Sequence, residues 1–94
     1  MLKVIAEAIA MQPDDYKVKS RCVVYTDLRI IGALLLREFY PAIRLTEMGH
    51  LFGVDHTSVI HNMRVGNGYI HVGQQPFLSK YLTAKNAIEC WITK

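Results

Sequence analysis

The chain has 94 residues, 51% hydrophobic and 20% charged; that is enough for one core, too few for two, and too apolar for a disordered tail. Its longest uninterrupted apolar run, Ile30 to Leu36, is far short of a membrane span, and Met1 to Met11, apolar but carrying Glu7 and without a convincing charged start or cleavage site, is not read as a signal peptide. The net charge is +3, but its distribution says more: from Tyr16 to Arg64 seven basic residues (Lys17, Lys19, Arg21, Arg29, Arg37, Arg44, Arg64) stand against four acidic ones, a balance suited to a modest phosphate-contacting surface.

Leu2, Ile5, Ala6, Ile9 and Ala10 recur at the spacing of one helical stripe and predict a first helix over Leu2–Met11, ended by Pro13. Asp14 or Asp15 can cap a short helical turn through Tyr16 and Val18. Lys17-Val18-Lys19-Ser20-Arg21 has no helical periodicity and reads as a basic connector, either a solvated loop or an arm whose arginine reaches DNA. The next helix is predicted from Asp27 to Tyr40, with Thr26 as N-cap, Asp27 in the first turn and Pro41 as the stop. Leu28, Ile31, Leu35 and Phe39 share one of its faces, widened by Leu34 and Leu36, so this helix is expected at the centre of the core.

Leu45 to Val65 reads as two short helices joined by a tight turn at Gly53-Val54. Met48 and Phe52 lie one turn apart on the first. Gly49 is the small residue that lets two helices cross closely, Gly53 supplies a positive φ without steric strain, and Val54 follows as an apolar plug. Asp55 is a natural N-cap for the second helix, with Val59 and Met63 facing inward and His56, Thr57, Ser58, His61 and Asn62 facing outward. In a helix-turn-helix the start of the second helix reaches base edges in the major groove. Asp55-His56-Thr57-Ser58 is therefore the candidate reading head.

Gly66-Asn67-Gly68 predicts the end of that helix and a surface loop of roughly ten residues to Gln75. Pro76 fits the first turn of a last helix, over about 76–93, with Phe77, Tyr81, Ala84, Ile88, Trp91 and Ile92 as its apolar stripe. The expected fold is all-α: a compact bundle of about five helices in a single domain, 1–94, containing a helix-turn-helix at 45–65.

Other chemistries find little support. Cys22 and Cys90 have no CxxC spacing and read as reduced thiols of a cytoplasmic protein. His50, His56, His61 and His71 do not form HExxH, and no cysteine or carboxylate completes a metal spacing, so surface histidines are the reading and no metal is expected. Asp55, His56 and Ser58 have the residue types of a catalytic triad, but helical neighbours this close project in different directions. Gly66-Asn67-Gly68 with Gly73 is no dinucleotide fingerprint, and no GxxxxGK[ST] loop is present. The chain is read as a non-enzyme without cofactor.

One resemblance is specific. Leu45 to His61, L-T-E-M-G-H-L-F-G-V-D-H-T-S-V-I-H, resembles the signature of the C-terminal DNA-binding domain (domain IV) of the bacterial replication initiator DnaA, roughly L-P-E-I-G-x-x-F-G-G-R-D-H-T-T-V-L-H. Upstream, Arg29 to Glu38 is similar to that family's R-Q-I-A-M-x-L-x-R-E helix, and Lys19-Ser20-Arg21 sits where the family has its basic loop. The resemblance is dense in the helix-turn-helix and thin elsewhere. It implies a module akin to the Trp-repressor fold that binds duplex DNA.

By position, the resemblance implies base contacts from Asp55, His56 and Thr57, and from Ile60 near thymine methyls. It implies backbone or minor-groove contacts from Lys19, Arg21, Arg29, Ser58 and His61, with Arg21 entering the minor groove. A carboxylate accepting from cytosine N4 and apolar carbons against a thymine methyl fit the general chemistry. The chain departs from the pattern where Gly53-Val54 replaces G-G-R and where Thr46 replaces proline. Fewer cations imply weaker non-specific affinity and a shallower salt dependence.

The leading expectation is thus a small stand-alone protein that binds double-stranded DNA sequence-specifically, in replication initiation, its regulation or transcription control. The rival is a protein–protein adaptor of the same fold that has lost DNA binding and pairs with a partner or a second copy through its C-terminal helix.

Overall fold

The computed structural model describes residues 1–18 and 22–93. Among the described residues there are five helices: α1 (Leu2–Ala8), α2 (Val23–Phe39), α3 (Leu45–Phe52), α4 (His56–Val72) and α5 (Phe77–Ile92), with a 3₁₀ turn at Pro13–Lys17. Among the described residues there is no strand. The radius of gyration is 12.1 Å, close to the roughly 12 Å of a folded chain this long. No helix of the described residues is long and apolar enough to cross a membrane.

The central helix is α2, packed against α1, the 3₁₀ turn, α4 and α5. Its Leu28, Ile30, Ile31, Ala33 and Leu35 are all buried, and they meet Ile5, Met48, Phe52, Val59, Phe77 and Ile88 from the surrounding elements. Burying each large aliphatic or aromatic side chain contributes about 1.5–3 kcal/mol, so the bundle is held mainly by this one cluster. Tyr16 completes it from the 3₁₀ turn: its ring lies 5.5 Å from that of Phe52 and its hydroxyl donates to the Leu2 carbonyl at 2.7 Å. Burial pushes the Tyr16 phenol well above its ordinary range.

Loops are fastened by side chains. Arg37 Nη1 donates to the carbonyls of Pro41 (2.8 Å) and Ile43 (3.0 Å), fixing the α2–α3 connection. Across the far side, α5 is tied to α2 by Lys80–Asp27 at 3.3 Å and Lys85–Glu38 at 3.0 Å. Phe77 packs edge-on to Tyr69 at 5.1 Å and stacks on Tyr81 at 6.5 Å, closing α4 against the start of α5.

Three boundaries differ from the sequence expectation. The first helix ends at Ala8, because Ala10 turns to φ +60° and the Met11 N–H folds back to the Ala6 carbonyl at 2.8 Å. α2 begins a turn early, at Val23 rather than Asp27, since the Cys22 carbonyl accepts from the N–H groups of Tyr25 and Thr26, both at 3.1 Å. Thr26 is consequently not the N-cap, and the Asp27 carboxylate turns inward to Lys80.

The largest correction concerns Gly66 to Gln75, expected as a loop. α4 runs straight through Gly66-Asn67-Gly68 to Val72 and stops only at Gly73, whose φ is +70°. Gly66 faces α2, where an added Cβ would lie 2.5 Å from Ile30 Cγ2 and 2.7 Å from Leu34 Cδ1. The glycine that looked like a helix breaker is the notch into which α2 packs. Val59, Met63, Gly66 and Ile70 continue one inward stripe at helical spacing, and tertiary packing there outweighs the roughly 1 kcal/mol that each glycine costs a helix.

Candidate nucleic-acid interface

α3 and α4 are joined by Gly53, Val54 and Asp55. Gly53 lies at φ +67°, the Val54 N–H donates to the Gly49 carbonyl at 2.9 Å and the Gly53 N–H to the His50 carbonyl at 3.4 Å, the Schellman pattern that ends a helix on glycine. The turn folds so tightly over α3 that a Cβ on Gly49 would sit 2.5 Å from the Val54 carbonyl oxygen. Val54 itself is half-buried against the core. Upstream, the Arg44 N–H donates to Glu47 Oε1 at 3.3 Å, which satisfies one donor at the start of α3.

Asp55 caps α4: its Oδ1 accepts the Ser58 N–H at 2.8 Å. That N–H, then the Ser58 side chain and the neighbouring His56, hold the Asp55 carboxyl below its ordinary value. The front of α4 therefore presents a carboxylate ionised across the neutral range.

Asp55, His56 and Thr57 are exposed, and Ser58 is half-buried beneath them. Ile60, 36% exposed, and His61 follow on the same outer side. The exposed stripe continues through Arg64, Asn67, Gly68 and His71 to the end of the helix, a surface of about 25 Å for 17 residues at 1.5 Å each. Nothing in the described chain covers it. Four of the candidate residues, Asp55, His56, Thr57 and Ser58, are thus brought together at one helix end, with Ile60 and His61 one turn behind.

The basic candidates fall differently. Lys19 and Arg21 lie outside the described residues. Arg29 is half-buried on α2, and its Nη1 donates to the Val18 carbonyl at 2.6 Å, so it anchors the start of the connector. Lys17 stands at the turn, its Cγ 3.6 Å from where a Cβ on Gly53 would be. The connector therefore leaves the 3₁₀ turn beside the front of α4. Lys3, Arg44, Lys80 and Lys85 each have a carboxylate within 4.0 Å, whereas exposed Lys17 and Arg64 have none among the described residues.

Residues that sequence reasoning left out complete the surface. Thr46 and His50 line a groove of about 250 Å³ with Val54, Asp55 and His56, between α3 and the front of α4. The signal was available: Thr46 and His50 are one helical turn apart and share a face of α3. All four histidines are exposed. Among the described residues, no three His, Cys, Asp or Glu side chains come together in a way that could hold a metal ion.

Compared with protein-family models, with curated proteins and with solved structures, the chain matches none of them.

Proposed function

We propose that this protein binds double-stranded DNA sequence-specifically by inserting the front of α4 into the major groove, as a helix-turn-helix of the DnaA type does. The observation that carries the reading is the open, capped end of α4, where Asp55, His56 and Thr57 stand in solvent. A helix front with short polar side chains, unobstructed by the described residues, suits contact with base edges. Asp55 accepts from cytosine N4, His56 and Thr57 reach neighbouring base edges, and Ile60 lies against a thymine methyl. Ser58 and His61 contact the backbone, which sets register rather than sequence preference.

Lys19 and Arg21 extend the contact from the connector that starts at Lys17, and Arg29 acts by holding that connector through Val18. In this reading the protein works in the cytoplasm, in replication initiation or its regulation, without metal, cofactor or catalytic step. The resemblance at Leu45 to His61 is the support for the replication role.

A second reading has one observation of its own. Trp91 and Ile92, 43% and 49% exposed, extend the apolar stripe of α5 past the core, which suits an adaptor of the same fold or a second copy paired through α5.

Selection of bound duplexes from a random pool, followed by a gel-shift assay, separates the two. A preferred duplex emerges, and H56A together with T57A lowers its affinity at least tenfold, down to the level of random DNA, since each well-made base contact is worth about 1–3 kcal/mol. Recovery of no preferred duplex, or full affinity in the double variant, overturns the reading.

A further inference from the structure

The outward side of α4 carries a long cation, Arg64, that the base contacts assigned above do not use. Arg64 is exposed, two turns behind Thr57, and its helical neighbours Ile60, His61, Asn67 and Gly68 include no carboxylate that could tie it down. One turn further on, no heavy atom lies within 4 Å of a Cβ added at Gly68, so the surface there is open as well.

Helix geometry fixes the direction in which Arg64 projects. α4 is helical without a break from His56 to Val72, and successive side chains are turned by about 100°. Thr57 and Ile60, two of the base-contact residues, therefore stand about 60° apart around the axis. Arg64 projects between them, about 20° from Thr57 and about 40° from Ile60. Ser58 and His61, the two residues assigned to the backbone, both lie beyond Thr57, about 120° and about 60° from Arg64. Arg64 thus falls inside the sector that faces bases and outside the flank that faces phosphates.

We infer that Arg64 reads a guanine in the major groove, forking to its O6 and N7, and so fixes one G·C pair of the preferred site. This rests on the DNA-binding reading and deepens it by naming part of the sequence recognised. A guanidinium presents paired donors, and guanine is the base whose major-groove edge offers two acceptors. At the other end of the same face, the Asp55 carboxylate offers only acceptors and suits the N4 donor of cytosine. The face runs from acceptor through the apolar Ile60 to donor, an order that gives the site a direction.

Reach agrees with direction. Thr57 and Arg64 are separated by about 10.5 Å along the axis, or about three base pairs at about 3.4 Å each. The groove curves away from a straight helix over that distance, and the length of an arginine makes up the difference. Asn67 and His71, shorter and farther along α4, fall outside the contact.

The test uses the duplex recovered from the random pool and a set of its single base-pair substitutions, with the full chain, by fluorescence anisotropy. R64Q places a good helix former at an exposed position, so the fold is retained. It should bind the preferred duplex about fivefold or more weakly and stop distinguishing one G·C pair. That pair should lie about three base pairs from the position that T57A relaxes. On duplexes already altered at that pair, R64Q and wild type should differ by about twofold at most. H71Q, altered at the far end of α4, should keep every preference of the wild type.

Uniform weakening across all duplexes, with a salt slope smaller by about one unit, would make Arg64 a phosphate contact and overturn the inference. Full discrimination at every position in R64Q overturns it too. Either result leaves sequence-specific binding standing. No preferred duplex for the wild type overturns the parent reading, and this one with it.

Discussion

The two halves of α4 are built on opposite principles. Its front, from Asp55 to Met63, follows local rules: a cap at 2.8 Å, a glycine turn before it, inward Val59 and outward His56 and Thr57. Its back, from Arg64 to Val72, contains two glycines that local rules treat as a stop, yet it is helical throughout. What keeps it helical is α2, whose Ile30 and Leu34 need the space that Gly66 leaves. Capping and turn chemistry can thus be read one residue at a time, whereas a notch for a neighbouring helix can be read only with the neighbour in view.

Substitution of the glycines should expose the contrast. The largest effect is expected in the turn that leads into α4, from Gly49→Ala on α3. The added methyl meets backbone, the Val54 carbonyl at 2.5 Å, and backbone cannot rotate away. The variant should lose about 3 kcal/mol or more in chemical denaturation, and the proposed duplex binding should fail with the turn.

Gly66→Ala comes next. Its methyl meets side-chain ends on Ile30 and Leu34, which can shift in part, and alanine regains some helix propensity. A net loss of about 1–2 kcal/mol is expected, and truncation of Leu34 to alanine in the same chain should be less than additive with it. Strict additivity would remove the notch as the explanation.

At Gly68 the sign reverses. No heavy atom lies within 4 Å of an added Cβ, so Gly68→Ala should stabilise by about 1 kcal/mol. Its melting temperature should then rise by roughly 4–8 °C. A drop would mean that the exposed side of α4 is in contact with something.

The smallest effect is electrostatic. The Asp55 carboxyl is held below its ordinary value in the folded chain, so its contribution is present at neutral pH and lost as pH falls through the folded-state value. Asp55→Ala should be mildly destabilising at pH 7, and the gap to wild type should close on acidification. Because the group is fully exposed, added salt should shrink the ionic part of the gap.

Legibility in the sequence follows the same division. The spans of α3 and α5, the glycine turn, the Asp55 cap and the central place of α2 were all readable, since each depends on residues within one or two turns. The start of α2 was misplaced because Asp27 looks like a first-turn acid, and only Lys80, 53 residues later, explains its burial. The exposure of Asp55, His56 and Thr57 at the front of α4 was legible from spacing. The groove beside them was missed because Thr46 and His50 belong to one helix and His56 to the next, and only the turn angle brings them to a common wall.

The Asp27–Lys80 pair has a wider bearing on how the molecule comes apart. Asp27 is 4% exposed, and its partner sits on the first turns of α5. If α5 detached, a buried carboxylate would lose its counter-ion, a change that typically costs about 3–5 kcal/mol, and the packing around Ile88 and Phe77 would be lost with it. The C-terminal helix is therefore no removable appendage. Hydrogen exchange should show the amides in the middle of α2 and of α5 opening in a single cooperative event, and proteolysis should yield either the intact domain or small fragments, with no trimmed, still-folded intermediate.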